Sequence, residues 1–124
     1  MSHLITAFLL ICISAQAHGA TGGGPHGGTV VKDAQSTYEV QVDEESRVVK
    51  VYTLRSLKPR PKQMAVTLFE NPETGQTVEL QAVNPRASLP EYRGVVGPGA
   101  GNFIGFELKL NFPHAGGRVL RHMR

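Results

Sequence analysis

The chain has little sulfur chemistry available to it, because Cys12 is the single cysteine among 124 residues. One thiol excludes an intramolecular disulfide and a zinc site built from several thiolates. Tryptophan is absent, other aromatic residues are few, and no stripe of alternating basic and aromatic residues occurs. The formal net charge of +3 is mild. These features do not indicate a nucleic-acid partner.

The chain also lacks the short motifs that mark common catalytic sites. It has no G-x-S-x-G nucleophile elbow, no H-E-x-x-H metalloprotease motif and no Walker loop. The glycine-rich stretch 97–101 precedes a strand pattern rather than a helix, so it does not have the context of a phosphate-binding loop. We therefore expect the protein not to be an enzyme.

Long hydrophobic runs are missing as well, since no segment reaches the about 20 apolar residues of a membrane-spanning helix. The apolar run 4–13 has instead the length of a signal-peptide core, and Ala15 and Ala17 follow it in the small-residue pattern of a cleavage site. We expect residues 1–17 to be a signal peptide that is cleaved near Ala17. This gives a periplasmic or secreted protein without a transmembrane span. The alternative is a buried N-terminal strand or helix.

The segment after the expected cleavage site is rich in glycine and contains His18 and His26. Residues 18–28 have too little apolar surface to offset their ordering entropy, which predicts a flexible arm. Cleavage after Ala17 would leave His18 with a free α-amine and an imidazole, a nitrogen-rich pair that Cu(II) favours. The glycines would allow His26 to fold back toward the same ion. The alternative is that both histidines are simply solvated.

A third candidate ligand, His114, lies in a Pro-His-x-Gly-Gly stretch that echoes the surroundings of His26. It follows the clearest strand pattern of the chain, and a loop after a rigid strand is a favourable place for a ligand. An exposed turn histidine is the alternative. The predicted metal ligands are therefore His26, His18 and His114, for weakly bound Cu(II) or Zn(II). They can form one site only if the two chain ends meet, as chain ends often do.

From Thr29 onward, short alternating patterns predict β-strands. The clearest is 104–112, where apolar and other residues alternate with a period of two, which helical spacing would not give. The other strand patterns lie at 38–42, 48–54, 64–69, 76–83, 92–96 and 119–120. Several short strands separated by turn residues favour a β-sandwich or a small barrel. We predict an all-β, small antiparallel, Ig-like β-sandwich that forms one domain over residues 29–124.

The residues that open this domain resemble those of a known group of proteins. Gly-Pro-His-Gly-Gly at 24–28 leads to Tyr-Glu-Val-Gln-Val at 38–42 and to Val-Lys-Val-Tyr-Thr-Leu at 49–54. This order resembles small periplasmic proteins and N-terminal domains associated with adaptor subunits of heavy-metal resistance-nodulation-division efflux systems. The resemblance implies a small β-sandwich outside the cytoplasm that is linked to copper, zinc or related ions. His26 is the one ligand that it carries over.

The chain lacks features of two other components of these efflux systems. The chain lacks the helical hairpin and lipoyl-like parts of a full adaptor, and it lacks the Trp and paired Met of the small copper-chaperone barrels. Our leading hypothesis is an exported metal-binding module that acts as an accessory to a metal-efflux or other envelope protein. The alternative is a structural or protein-interaction β-sandwich of the cell envelope without a metal role, which offers a sheet edge or the basic stretch 55–62.

Overall fold

The computed structural model describes residues 23–56, 60–97, 102–113 and 116–124. These residues form eight β-strands and no helix, which confirms the all-β prediction. The strands are β1 (Thr29–Lys32), β2 (Ser36–Asp43), β3 (Val48–Ser56), β4 (Gln63–Asn71), β5 (Thr74–Ala82), β6 (Glu91–Val95), β7 (Gly105–Phe112) and β8 (Gly116–Met123). Within this part of the chain, no helix is long and apolar enough to cross a membrane.

The strands form one nearly closed antiparallel sheet in the order β1-β2-β3-β6-β5-β4-β7-β8. Its two halves, β1-β2-β3-β6 and β5-β4-β7-β8, are joined by two residue pairs between β5 and β6, Gln81 with Arg93 and Ala82 with Tyr92. At the other side, the edge strands β1 and β8 lie next to each other. The two halves therefore enclose a common core, as the layers of a sandwich do.

The core explains the alternation along β7. Phe106, Leu108 and Leu110 are buried, whereas Lys109 and Asn111 between and after them are exposed. The valines of β2 and β3 meet them from the opposite half in a single cluster. Burial of each large aliphatic side chain contributes about 1.5–3 kcal/mol. The described residues contain no cysteine, so packing and hydrogen bonds stabilise this sheet.

Strand β2 departs from simple alternation at one residue. Tyr38 and Val40 are buried in the core, and Glu39 between them points to the opposite face of the sheet. The second face of an antiparallel sheet commonly contacts solvent, yet Glu39 has no exposed surface. Residues 24–28, which precede β1, cover the sheet at this point and create a second buried layer.

The gap between the edge strands β1 and β8, here called the seam, is bridged at one end by Arg118. Its Nη1 donates to Oδ2 of Asp33 at 2.7 Å, and its Nη2 donates to Oε1 of Gln35. The guanidinium also lies 4.3 Å above the centre of the Phe112 ring. The other end of the seam opens into a cleft of about 310 Å³ that includes His122 in its lining.

Candidate functional site

The five residues 24–28 form a closed turn directly before β1. The N–H of Gly27 donates to the C=O of Gly24 at 2.9 Å, and the N–H of Gly24 donates to the C=O of Gly28 at 3.1 Å. Pro25 stands at the second position, where its fixed φ favours a turn. Gly27 has a φ of +82°, in the left-handed region that favours glycine. The local sequence therefore specifies a turn.

Part of the predicted flexible arm is this hydrogen-bonded turn. The flexible arm was expected over residues 18–28, but 24–28 are held by hydrogen bonds among themselves and to β2. The earlier residues, 18–22, lie outside the described part of the chain. His26 is thus held on a rigid support.

Glu39 of β2 holds the turn from the sheet side. Its Oε2 accepts the backbone N–H of His26 at 2.8 Å and the N–H of Gly28 at 2.7 Å. Its Oε1 lies 2.8 Å from Nδ1 of the His26 ring. Burial of a carboxylate is costly unless its oxygens are hydrogen-bonded, and here both oxygens have partners.

The contact with Glu39 fixes the protonation pattern of the His26 ring. A carboxylate accepts hydrogen bonds, so Nδ1 is the nitrogen that donates, and in the neutral imidazole Nε2 then carries the lone pair. Among the described residues, the ring forms hydrogen bonds only through Nδ1. The His26 side chain is 44% exposed. The ring can therefore bind a ligand or a proton at Nε2 without leaving the turn.

The plane of the same ring is fixed by Tyr52 of β3. The two rings are stacked, with their centres 3.6 Å apart and an angle of 5° between their planes. The Tyr52 hydroxyl donates to Oε1 of Gln41 at 3.4 Å, and Nε2 of Gln41 donates to the C=O of His26 at 2.8 Å. Burial, and then the negative charge of Glu91, raises the pKa of Tyr52. Tyr52 is therefore a neutral packing surface rather than an anionic ligand.

The pairing of the Glu39 carboxylate with the His26 ring is one that is common at metal sites. Histidines that bind metals commonly donate their other ring N–H to a carboxylate, which fixes the tautomer and raises the basicity of the metal-binding nitrogen. His26 has this partner and an exposed ring. In the described ranges, however, no three His, Cys, Asp or Glu side chains converge on one point. The site supplies one prepared ligand, and any others must come from elsewhere.

Of the three predicted ligands, the structure describes one. His26 is at the centre of the site, whereas His18 and His114 lie outside the described residues, so their approach to His26 remains a prediction. A further histidine, His122, is part of β8, where it pairs with Phe106 at a ring-centre distance of 5.8 Å. It lines the seam cleft beside Gly28.

Two residues of the site, Glu39 and Tyr52, were not predicted from the sequence. They are direct cross-strand partners in the register of β2 and β3. Both stand on the face opposite the core, where a polar residue normally indicates only solvent. A signal was present in the combination of a Gly-Pro-His-Gly-Gly segment with the hairpin that follows it, which places these two side chains side by side.

The basic stretch 55–62 is partly engaged in the fold. The guanidinium of Arg60 donates to the carbonyl oxygens of Pro85 and Ala87, and so ties the loop before β6 to the start of β4. Lys58 lies outside the described ranges. Arg60 thus has a structural role within the protein, which reduces the charge available to an external partner.

No protein-family model, curated protein or solved structure matches this chain. The resemblance to the efflux-associated proteins therefore stays a prediction. The candidate site is interpreted from its own geometry.

Proposed function

We propose that the protein is an exported binding protein for a divalent transition metal, Cu(II) or Zn(II), and that Nε2 of His26 is one of its ligands. The observation that supports this function is the buried Glu39 carboxylate 2.8 Å from Nδ1 of the same ring. It leaves Nε2 as the nitrogen with a lone pair, and neutral imidazole is the form that binds metals.

The burial of Glu39 adds weight to this interpretation. Removal of a carboxylate from water costs several kcal/mol even after the protein relaxes. An apolar residue would avoid that cost but would leave the backbone N–H groups of His26 and Gly28 without an acceptor. The carboxylate offers something that an apolar residue cannot, because it orients the His26 ring and selects its tautomer.

The remaining ligands are proposed to be His18 and His114, as the sequence suggested. His18 would contribute its α-amine as well if cleavage occurs after Ala17. A site with few imidazoles binds weakly, which suits a protein that passes its metal to an efflux or other envelope partner. Because a histidine binds metal through a neutral imidazole, affinity should fall in acid.

Isothermal titration of the protein with Cu(II) and with Zn(II) tests this function. His26→Ala should weaken binding at least about tenfold, in line with the loss of one prepared ligand. His26→Ala combined with His18→Ala should weaken Cu(II) binding further. His122→Ala is the matched control, since it removes a histidine that contacts Phe106 and should leave both affinities unchanged. Equal affinities in the wild type and the double variant would contradict the proposal.

The alternative function as an interaction module is favoured by one feature. Within the described residues, β1 and β8 each pair with a single neighbour, and Val119 of β8 is 55% exposed. An edge strand of this kind can receive a strand from another protein. This function predicts no measurable metal binding, together with a defined envelope partner whose binding is lost in Val119→Lys and kept in His26→Ala.

A further inference from the structure

The stack of His26 on Tyr52 is closer than an ordinary pair of aromatic rings. The ring centres are 3.6 Å apart, and the planes differ by 5°. Carbon atoms in contact are about 3.5 Å apart, so this centre distance leaves the two rings almost directly above one another. Neutral aromatic rings prefer offset or edge-to-face arrangements with centres about 4.5–7 Å apart, because their negative faces repel. Packing of two neutral rings therefore does not explain the overlap.

Hydrogen bonds hold both rings in this overlap. Glu39 fixes the backbone of His26 through Oε2 and the imidazole through Oε1. Gln41 connects the two ring residues, because its Oε1 accepts the Tyr52 hydroxyl at 3.4 Å and its Nε2 donates to the C=O of His26 at 2.8 Å. The rings cannot slide to an offset arrangement without disturbing these contacts.

Full overlap is favourable when one of the two rings carries positive charge. The negative face of a tyrosine ring attracts a cation within about 6 Å of its centre, and the planar Arg guanidinium stacks on aromatic faces in this way. His26 is the ring that can become positive, because its Nε2 forms no hydrogen bond within the described part of the chain. A divalent ion bound at Nε2 withdraws electron density from the imidazole and leaves the ring with a partial positive charge.

We propose that the ring face of Tyr52 raises the metal affinity of His26 by stabilising the positive charge that the imidazole acquires when the ion binds. Tyr52 acts through His26 rather than as a ligand, so it is a positioning residue, and its ring face carries the effect rather than its hydroxyl. Glu39 favours the same bound state from the edge of the imidazole. This inference rests on the metal-binding function proposed above.

Fluorinated aromatic residues at position 52 test the proposal, because fluorine atoms weaken and then reverse the negative face of the ring while its shape is nearly kept. The series is Tyr52→Phe, followed by 3,5-difluorophenylalanine and pentafluorophenylalanine at the same position. Each protein is titrated with Zn(II) at one fixed pH. We expect Tyr52→Phe to bind like the wild type and the affinity to fall with each fluorinated step, by at least about fivefold for pentafluorophenylalanine relative to Tyr52→Phe.

Two further variants separate the ring face from packing and from fluorination itself. Tyr52→Leu keeps apolar cover without an aromatic face and should bind Zn(II) about two- to fivefold more weakly than Tyr52→Phe. Pentafluorophenylalanine in place of Phe69 is the matched control, because Phe69 belongs to β4 in the other half of the sheet. This control should bind Zn(II) like the wild type. Thermal unfolding of every variant shows whether it is folded.

The outcomes distinguish this inference from the function on which it rests. Equal Zn(II) affinities along the folded series would overturn the role of Tyr52 alone, provided that the wild type binds Zn(II) and His26→Ala binds it more weakly. A wild type that binds no metal, or that binds it no better than His26→Ala, would overturn both the proposed function and the role of Tyr52.

Discussion

Glu39 is the residue on which the candidate metal site depends. Its Oε2 must accept two backbone N–H groups of the turn, and its Oε1 faces Nδ1 of His26. The ionised carboxylate satisfies all three partners at once. A change that keeps the shape of the side chain and replaces one oxygen by an amide nitrogen therefore separates the packing of the turn from the protonation of the ring.

Glu39→Gln should invert the tautomer of His26. The amide oxygen must still accept the N–H groups of His26 and Gly28, so the amide NH₂ faces Nδ1 and donates to it. The proton of the neutral ring then moves to Nε2, and metal affinity should fall about 10–100-fold, as for other losses of a ligand's supporting carboxylate. Long-range ¹H–¹⁵N spectra of the metal-free protein report the tautomer, and calorimetry reports the affinity.

Glu79→Gln, at an exposed glutamate of β5, is the control for the loss of one negative charge and should change neither property. A folded Glu39→Gln protein whose His26 still carries its proton on Nδ1 would disprove the role assigned to Glu39. In that case the carboxylate would be only a support for the turn.

At the scale of the element, the turn 24–28 depends on a close fit to β2. A Cβ atom at Gly24 would lie 2.4 Å from Cδ of Glu39, which is too close for any side chain. Gly24 therefore allows the turn to sit directly on the carboxylate. The glycines here serve contact between elements as well as backbone conformation.

Gly24→Ala should displace the turn and lower the free energy of unfolding by about 1–3 kcal/mol, the usual cost of overpacking a tight site. The measurement is urea unfolding, and the stacked His26 ring should become more mobile in NMR spectra. Gly117→Ala on β8 is the control, because a Cβ there would be in ordinary contact at 3.7 Å from the carbonyl oxygen of Leu110. Equal stability losses in the two variants would show that the fit at Gly24 is unimportant.

The elements also show which features can be predicted from sequence. The alternation of β7 is local and directly reflects one buried face, so its strand was predictable. The turn 24–28 was not, because it depends on hydrogen bonds to Glu39 and Gln41, which are 11 to 15 residues away in sequence. The last strand, β8, extends beyond the predicted 119–120 on both sides, because its two glycines and residues 121–123 also pair with β7, although glycine itself gives no strand signal.

At the scale of the whole molecule, the sheet is nearly closed, and the seam is its weakest junction. Asp33 and Arg118, 85 residues apart in sequence, bridge one end of it. Partial burial opposes the ionisation of Asp33, but the Arg118 guanidinium and the N–H groups of Gln35 and Ser36 outweigh it and hold the pKa of Asp33 below its ordinary value. No local sequence pattern predicts such a contact.

Asp33→Asn should therefore lower the free energy of unfolding at pH 7 by about 1 kcal/mol. Because the folded-state pKa of Asp33 is depressed, its contribution is fully present above the unfolded value of about 3.9 and is lost as the pH falls through the lower folded value. The difference between wild type and variant should thus disappear in acid. Glu73→Gln, at an exposed turn residue, should show no such difference, and a wild-type advantage that does not decrease as the pH falls below about 3.9 would contradict this assignment.

In the proposed metal site, Nε2 of His26 binds the metal while Glu39 holds Nδ1. Titration of ¹⁵N-histidine-labelled protein with Zn(II), followed by long-range ¹H–¹⁵N spectra, observes both ring nitrogens during metal binding. We predict a zinc-dependent change at Nε2 of His26, with Nδ1 of the same ring remaining protonated. Spectra in which both nitrogens of His26 are unaffected by zinc, or in which zinc binds at Nδ1, would contradict the claim.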